Sequence, residues 1–113
     1  MTVEIAFAFP LPGGLHARPA VRLQEEVARF RSVVTFLNRA NGTSASARSV
    51  LALVATRTAL GEPCALHVQG EDEAAAGAAL RKFVKKELPG LDDGPPARVA
   101  TGAPLPRVLA RAE

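Results

Sequence analysis

The chain has 113 residues, 48% of them hydrophobic and 22% charged, with a net charge of +3. That suits one domain with a single modest core and excludes wholesale disorder. No apolar run approaches the roughly 20 residues of a membrane span, no basic-then-apolar leader opens the chain, and Cys64 stands alone, so neither an internal disulfide nor a thiolate metal cluster is expected.

Val3, Ile5, Phe7 and Phe9 alternate with Thr2, Glu4, Ala6 and Ala8, the period-two pattern of a strand with one buried face; Pro10 and Pro12 stop it. From Ala17 to Arg31, Ala20, Leu23, Val27 and Phe30 recur at helical spacing, and Pro19 fits the first turn, where its missing N–H is harmless. Val33 to Leu37 is rich in β-branched and aromatic residues. Asn41-Gly42 after it signals a hairpin turn into a short polar strand from about Thr43 to Ala47. Ser49 then stands as an N-cap before a short helix, Val50 to about Thr56, with Leu51 and Val54 on one side and Val50 and Leu53 on another.

Gly61 and Pro63 punctuate. Cys64, Leu66 and Val68 alternate with Ala65, His67 and Gln69, a strand whose inner face carries the cysteine and whose outer face carries the second histidine. Asp72 to Leu88 is a helix with Ala76, Leu80, Phe83 and Val84 as its apolar stripe, acidic residues at its start and Arg81, Lys82, Lys85 and Lys86 near its end, as the helix dipole favours. Pro89-Gly90 stops it. The order strand, helix, strand, strand, short helix, strand, helix is that of an α+β open sandwich over residues 1–88, and the proline-punctuated segment 89–113 is expected to be a tail or linker.

The chemistry concentrates at Gly13-Gly14-Leu15-His16-Ala17-Arg18-Pro19-Ala20. Two glycines give loose backbone and then set an imidazole at the mouth of a helix. A helix N-terminus offers N–H donors and a positive partial charge to phosphate, and Arg18 adds a planar fork of donors. A neutral imidazole is a competent nucleophile at neutral pH, and phosphoryl transfer needs positioning and charge stabilisation more than acid–base help. Arg22, Arg48 and Arg57 are expected to extend the positive patch if the two segments that carry them meet.

Gly-Leu-His-Ala-Arg-Pro-Ala resembles the active-site signature of HPr, the histidine phosphocarrier of the bacterial sugar phosphotransferase system, and Arg48-Ser49-Val50-Leu51 resembles that family's second signature. The likeness runs from about Val3 to Leu88. It implies a four-stranded antiparallel sheet covered on one face by three helices. It also implies that His16 is phosphorylated on Nδ1 by phospho-enzyme I and passes the group to a histidine of an enzyme IIA domain, with Arg18 and the N–H groups of the opening turn, Ala17 and Arg18, as phosphate cradle. Ser49 corresponds to a serine that is a regulatory phosphorylation site in some relatives. Leu15, Val21, Leu51 and Val54 are expected as the apolar ring on which partners dock.

Two features depart from the family pattern. Ala55-Thr56-Arg57-Thr58 stands where many relatives have a small-apolar-Gly sequence, and the tail resembles the linkers of fused fructose-type multiphosphoryl proteins. The expected function is a cytoplasmic, monomeric phosphocarrier domain serving sugar uptake, without metal, cofactor or turnover of its own. The alternative is a regulatory module of the nitrogen-linked type, phosphorylated as a signal. Nucleic acid is a third ligand class for the arginines, but five phenylalanines at mostly core-like spacing leave few stacking platforms. His67 reads as a surface histidine and Cys64 as a small buried hydrophobe.

Overall fold

The computed structural model describes residues 2–91. Four strands, β1 (Val3–Ala8), β2 (Val33–Asn38), β3 (Thr43–Ser46) and β4 (Pro63–Gln69), form one antiparallel sheet in the order β1-β4-β2-β3. Three helices accompany it: α1 (Ala17–Val27), α2 (Val50–Ala55) and α3 (Glu73–Lys82). The element order and the open sandwich are as the periodicity predicts.

Register explains why one face is wet and the other dry. Residues directly opposite in antiparallel strands point the same way, so Ile5, Leu66, Phe36 and Ala45 form one buried row across the sheet. Val3, Val68 and Val34 form the next. The intervening row, Glu4, His67, Thr35 and Ser46, lies on the opposite face, where Arg39 Nη2 donates to Glu4 Oε2 at 2.6 Å. Ala65 shares that outer face yet is fully buried, because the central position of β4 sets it between Ala6 and Leu37.

Two helices depart from their predicted ends. The run from Ala17 stops at Val27, short of Phe30, and the chain leaving it is held from outside: the Asp72 carboxylate accepts from the N–H groups of Arg31 (2.8 Å) and Ser32 (2.9 Å), and Arg48 Nη2 donates to the carbonyl of Phe30 at 2.7 Å. At the other end of the chain α3 continues as a wider turn over Phe83–Glu87 and a tight one over Leu88–Gly90 that accommodates Pro89 near its start. Leu91 still packs on the core, so the described fold runs past Leu88, and the rest of the expected tail lies outside the described residues. The hairpin between β2 and β3 turns through residues 39–42, four rather than two, closed by Gly42 N–H on the Asn38 carbonyl at 2.9 Å.

Candidate functional site

The segment that delivers His16 is anchored at both ends. Phe9 and Leu11 are buried, and Phe9 exchanges backbone hydrogen bonds with Glu62 and Gly61, prolonging the edge of β1. Gly14 turns the chain at φ +75°, its N–H on the Leu11 carbonyl. A Cβ there would stand 2.5 Å from the Thr58 carbonyl oxygen, so glycine is required for close approach as well as for its dihedral. Leu15 N–H then donates to that same oxygen at 3.0 Å, and the carbonyl of His16 accepts from Ala20, which opens α1.

His16 is therefore the N-cap residue of α1, extended at φ −92°, half-exposed, and its side chain forms no cap bond. Ala17 and Arg18 are exposed, and their N–H groups belong to the opening turn, which has no acceptor inside the helix; Pro19 has no N–H to leave over. The first turn holds no acidic residue, so the positive end of the helix meets no carboxylate of its own. Imidazole, two main-chain donors and a guanidinium-bearing residue are thus consecutive at one helix mouth.

The partner loop is itself built on a buried polar network that the periodicity does not reveal. Asn38, 1% exposed at the core-facing end of β2, donates to Thr58 Oγ1 at 3.1 Å and to Glu62 Oε1 at 3.0 Å. The Thr56 and Thr58 hydroxyls are 2.8 Å apart, and Asn41 Nδ2 donates to the Thr56 carbonyl. Bonds from the Asn38 amide and the Ala59 N–H hold the Glu62 carboxyl below its ordinary range. Each buried polar group of this network is satisfied, which fixes residues 56–62 and, through Thr58, the register of Leu15 and His16.

α2 packs on α1 and is capped by Ser49, whose hydroxyl accepts from Ala52 N–H at 3.2 Å; Leu53 is its buried residue. Leu51 is 85% exposed, and Val54 and Val21 about 40%. Leu15 departs from the expected apolar ring. It is 4% exposed and belongs to the core, because its bond to Thr58 draws it beneath the loop. Leu60, exposed on the partner loop, was not among the expected docking residues.

The expected positive patch is also smaller than the arginine count suggests. Arg22 is bound to Glu25 and Glu87, whose hydrogen bond raises its pKa above the usual value, and its guanidinium lies 5.3 Å from the Phe83 ring centre. Arg48 bonds the carbonyls of Phe30 and Ser32 and so serves the backbone. Arg18 and Arg57 are exposed on the two touching segments.

Other candidates recede. His67 Nε2 lies 3.7 Å from Glu4 Oε1 with no hydrogen bond, on the outer face of the sheet. Burial pushes the Cys64 thiol up to about 11, away from reactivity. Among the described residues no three His, Cys, Asp or Glu side chains are grouped to hold a metal, and no helix is long and apolar enough to cross a membrane. A cleft of about 310 Å³ between α1 and α3 is lined by Glu26, Arg29, Ala79, Lys82, Phe83 and Glu87, none of them from the His16 segment.

Comparisons with known proteins address the same region. The family described as the PTS HPr component phosphorylation site matches residues 3–86. The chain is 39% identical over 110 residues to multiphosphoryl transfer protein 1 of Escherichia coli, covering 96% of this chain but only 13% of that protein. That alignment reaches past Leu88 into the segment expected to lie outside the likeness. The HPr-like protein Crh of Bacillus subtilis is 37% identical over 78 residues, 69% of this chain and 89% of its own. The crystal structure of the phosphocarrier protein HPr from Bacillus anthracis superposes with a TM-score of 0.64 at 25% identity, covering 74% of this chain and 96% of that one. With the signature histidine at a helix mouth, the four-stranded sheet and these matches in agreement, the chain belongs to the HPr phosphocarrier family of the phosphotransferase system.

Proposed function

We propose that His16 accepts a phosphoryl group from phospho-enzyme I and passes it to a histidine of an enzyme IIA domain in sugar uptake. What supports this above all is His16 as the half-exposed N-cap residue of α1, next to the main-chain donors of Ala17 and Arg18. A ring nitrogen lone pair attacks phosphorus. The N–P bond forms as the bond to the donor atom breaks, and that atom keeps the electron pair. Charge on the three equatorial oxygens is met by the two N–H groups and the Arg18 guanidinium. Release reverses the step, and the group's exposure lets donor and acceptor approach in turn. Val21, Leu51 and Val54 form the apolar part of the docking surface.

Residues 1–88 act as the carrier domain, monomeric and cytoplasmic, and the segment that follows joins it to further domains; the matched multiphosphoryl transfer protein is far longer than this chain. Mass spectrometry of the native polypeptide tests that arrangement directly. Likeness to Crh, named a catabolite repression HPr, supports a second reading, a regulatory module phosphorylated as a signal rather than for transport. Incubation with enzyme I and phosphoenolpyruvate separates them: acid-labile phosphate that chases to enzyme IIA supports the carrier, label that stays supports the module, and absence of label overturns both.

A further inference from the structure

Arg57 is the one non-glycine residue at positive φ among the described residues, at +54°. A side chain in the left-handed region is strained, and such strain persists only where the surroundings enforce it. They do so here. Thr56 and Thr58 on either side are buried and hydrogen-bonded, and Arg57 N–H closes the turn on the Val54 carbonyl. The fold thus presents residue 57 outward on the loop whose next carbonyl holds Leu15 in place.

Most arginines of the described fold are committed. Arg22, Arg29, Arg31 and Arg39 pair with carboxylates, and Arg48 bonds backbone carbonyls. Arg57 is exposed and makes no side-chain hydrogen bond or ion pair among the described residues. Glycine would relieve the strain, so packing gives no reason for arginine here; a charge requirement does. The bond from Leu15 N–H to the Thr58 carbonyl sets the residue after Arg57 against the one before His16.

We infer that Arg57 is a second guanidinium for the phosphoryl group on His16, acting with Arg18 to hold the dianion. This rests on His16 being the phosphoryl acceptor. A cation beside the phosphoryl oxygens favours their dianionic form and lowers the group's second ionisation, by a few tenths of a pH unit for an exposed pair.

The test uses the full chain and phosphoramidate, a small donor that needs no partner protein. Its P–N bond breaks as the bond to the ring nitrogen forms, and the amine leaves with the electron pair and takes up a proton. Phosphorus NMR then follows the phosphohistidine resonance against pH in wild type, R57G and R57K. The expected result is a midpoint a few tenths of a unit higher in R57G, largely restored in R57K, with the difference shrinking in about 1 M salt. R57G should melt no lower than wild type. Coincident midpoints for wild type and R57G overturn the role of Arg57 while leaving the carrier intact. A phosphohistidine signal that persists in H16A overturns the carrier reading and this one together.

Discussion

At the start of α2 the Ser49 hydroxyl accepts the Ala52 N–H, whereas at the start of α1 the His16 side chain makes no such bond and the first turn carries no acidic residue of its own. The two helices pack on each other and end in similar short turns, so the difference lies in what finishes their beginnings. A capped mouth puts its donors into stability. A mouth without a side-chain cap does not draw stability from that bond, and the helix is held by what lies behind it: Leu23 and Val27 in the core, and Leu15 on Thr58.

The comparison breaks most visibly at residue 16. His16→Ala should abolish acid-labile phosphorylation while leaving the far-ultraviolet circular dichroism and the melting temperature close to wild type, because the imidazole forms no cap. A large drop in stability would show that α1 depends on the ring as α2 depends on its serine, and the contrast would fail.

Next in size is the hinge that aims His16. Gly14→Ala places a Cβ 2.5 Å from the Thr58 oxygen at a dihedral that disfavours any side chain. The expected cost is about 2 kcal/mol or more, seen in denaturant unfolding, together with slower phosphorylation as His16 shifts with the loop. Wild-type stability in this variant would mean that the two segments are not tightly joined.

Much of this is legible in the amino-acid sequence. Val3, Ile5 and Phe7, or Cys64, Leu66 and Val68, announce buried strand faces because alternation is a local property, and the glycine–histidine–proline spacing announces a helix mouth for the same reason. Asn38 announces nothing. Its partners Thr58 and Glu62 lie 20 and 24 residues away, and a polar residue closing an apolar strand looks like the start of a loop until those partners converge on it. Arg48 and Leu15 mislead in the same manner: a guanidinium near a signature is read as ligand-binding, and an apolar residue beside a surface histidine as docking, until Phe30, Ser32 and Thr58 claim them.

A smaller effect sharpens the contrast from the capped side. Ser49→Ala removes the acceptor for Ala52 N–H and should cost about 1 kcal/mol, or about 4–8 °C in melting temperature for a domain of this size, with phosphorylation of His16 by phosphoramidate unchanged. Ser49→Asp keeps a cap acceptor and adds charge, so it should retain stability while slowing labelling by enzyme I. Equal labelling rates for S49D and wild-type chains would remove the regulatory reading of this serine.

The mouth of α3 gives the smallest effect and a third way to finish a helix. Asp72 precedes it, yet the carboxylate turns away from its own helix to the Ser32 hydroxyl and to the N–H groups of Ser32 and Arg31, just after α1 has ended. The Ser32 hydroxyl, followed by the Arg31 N–H, lowers its pKa below the ordinary 3.8. Because the folded value lies below the unfolded one, the contribution is complete above about pH 3.8 and disappears as pH falls through the lowered value. Asp72→Asn is neutral at every pH. Its stability deficit against wild type should therefore be constant from neutral pH down to mild acid and then close as the wild-type carboxylate takes up its proton. A deficit that stays constant through that range would mean that the charge of Asp72 contributes nothing to holding the end of α1, and that its geometry alone does.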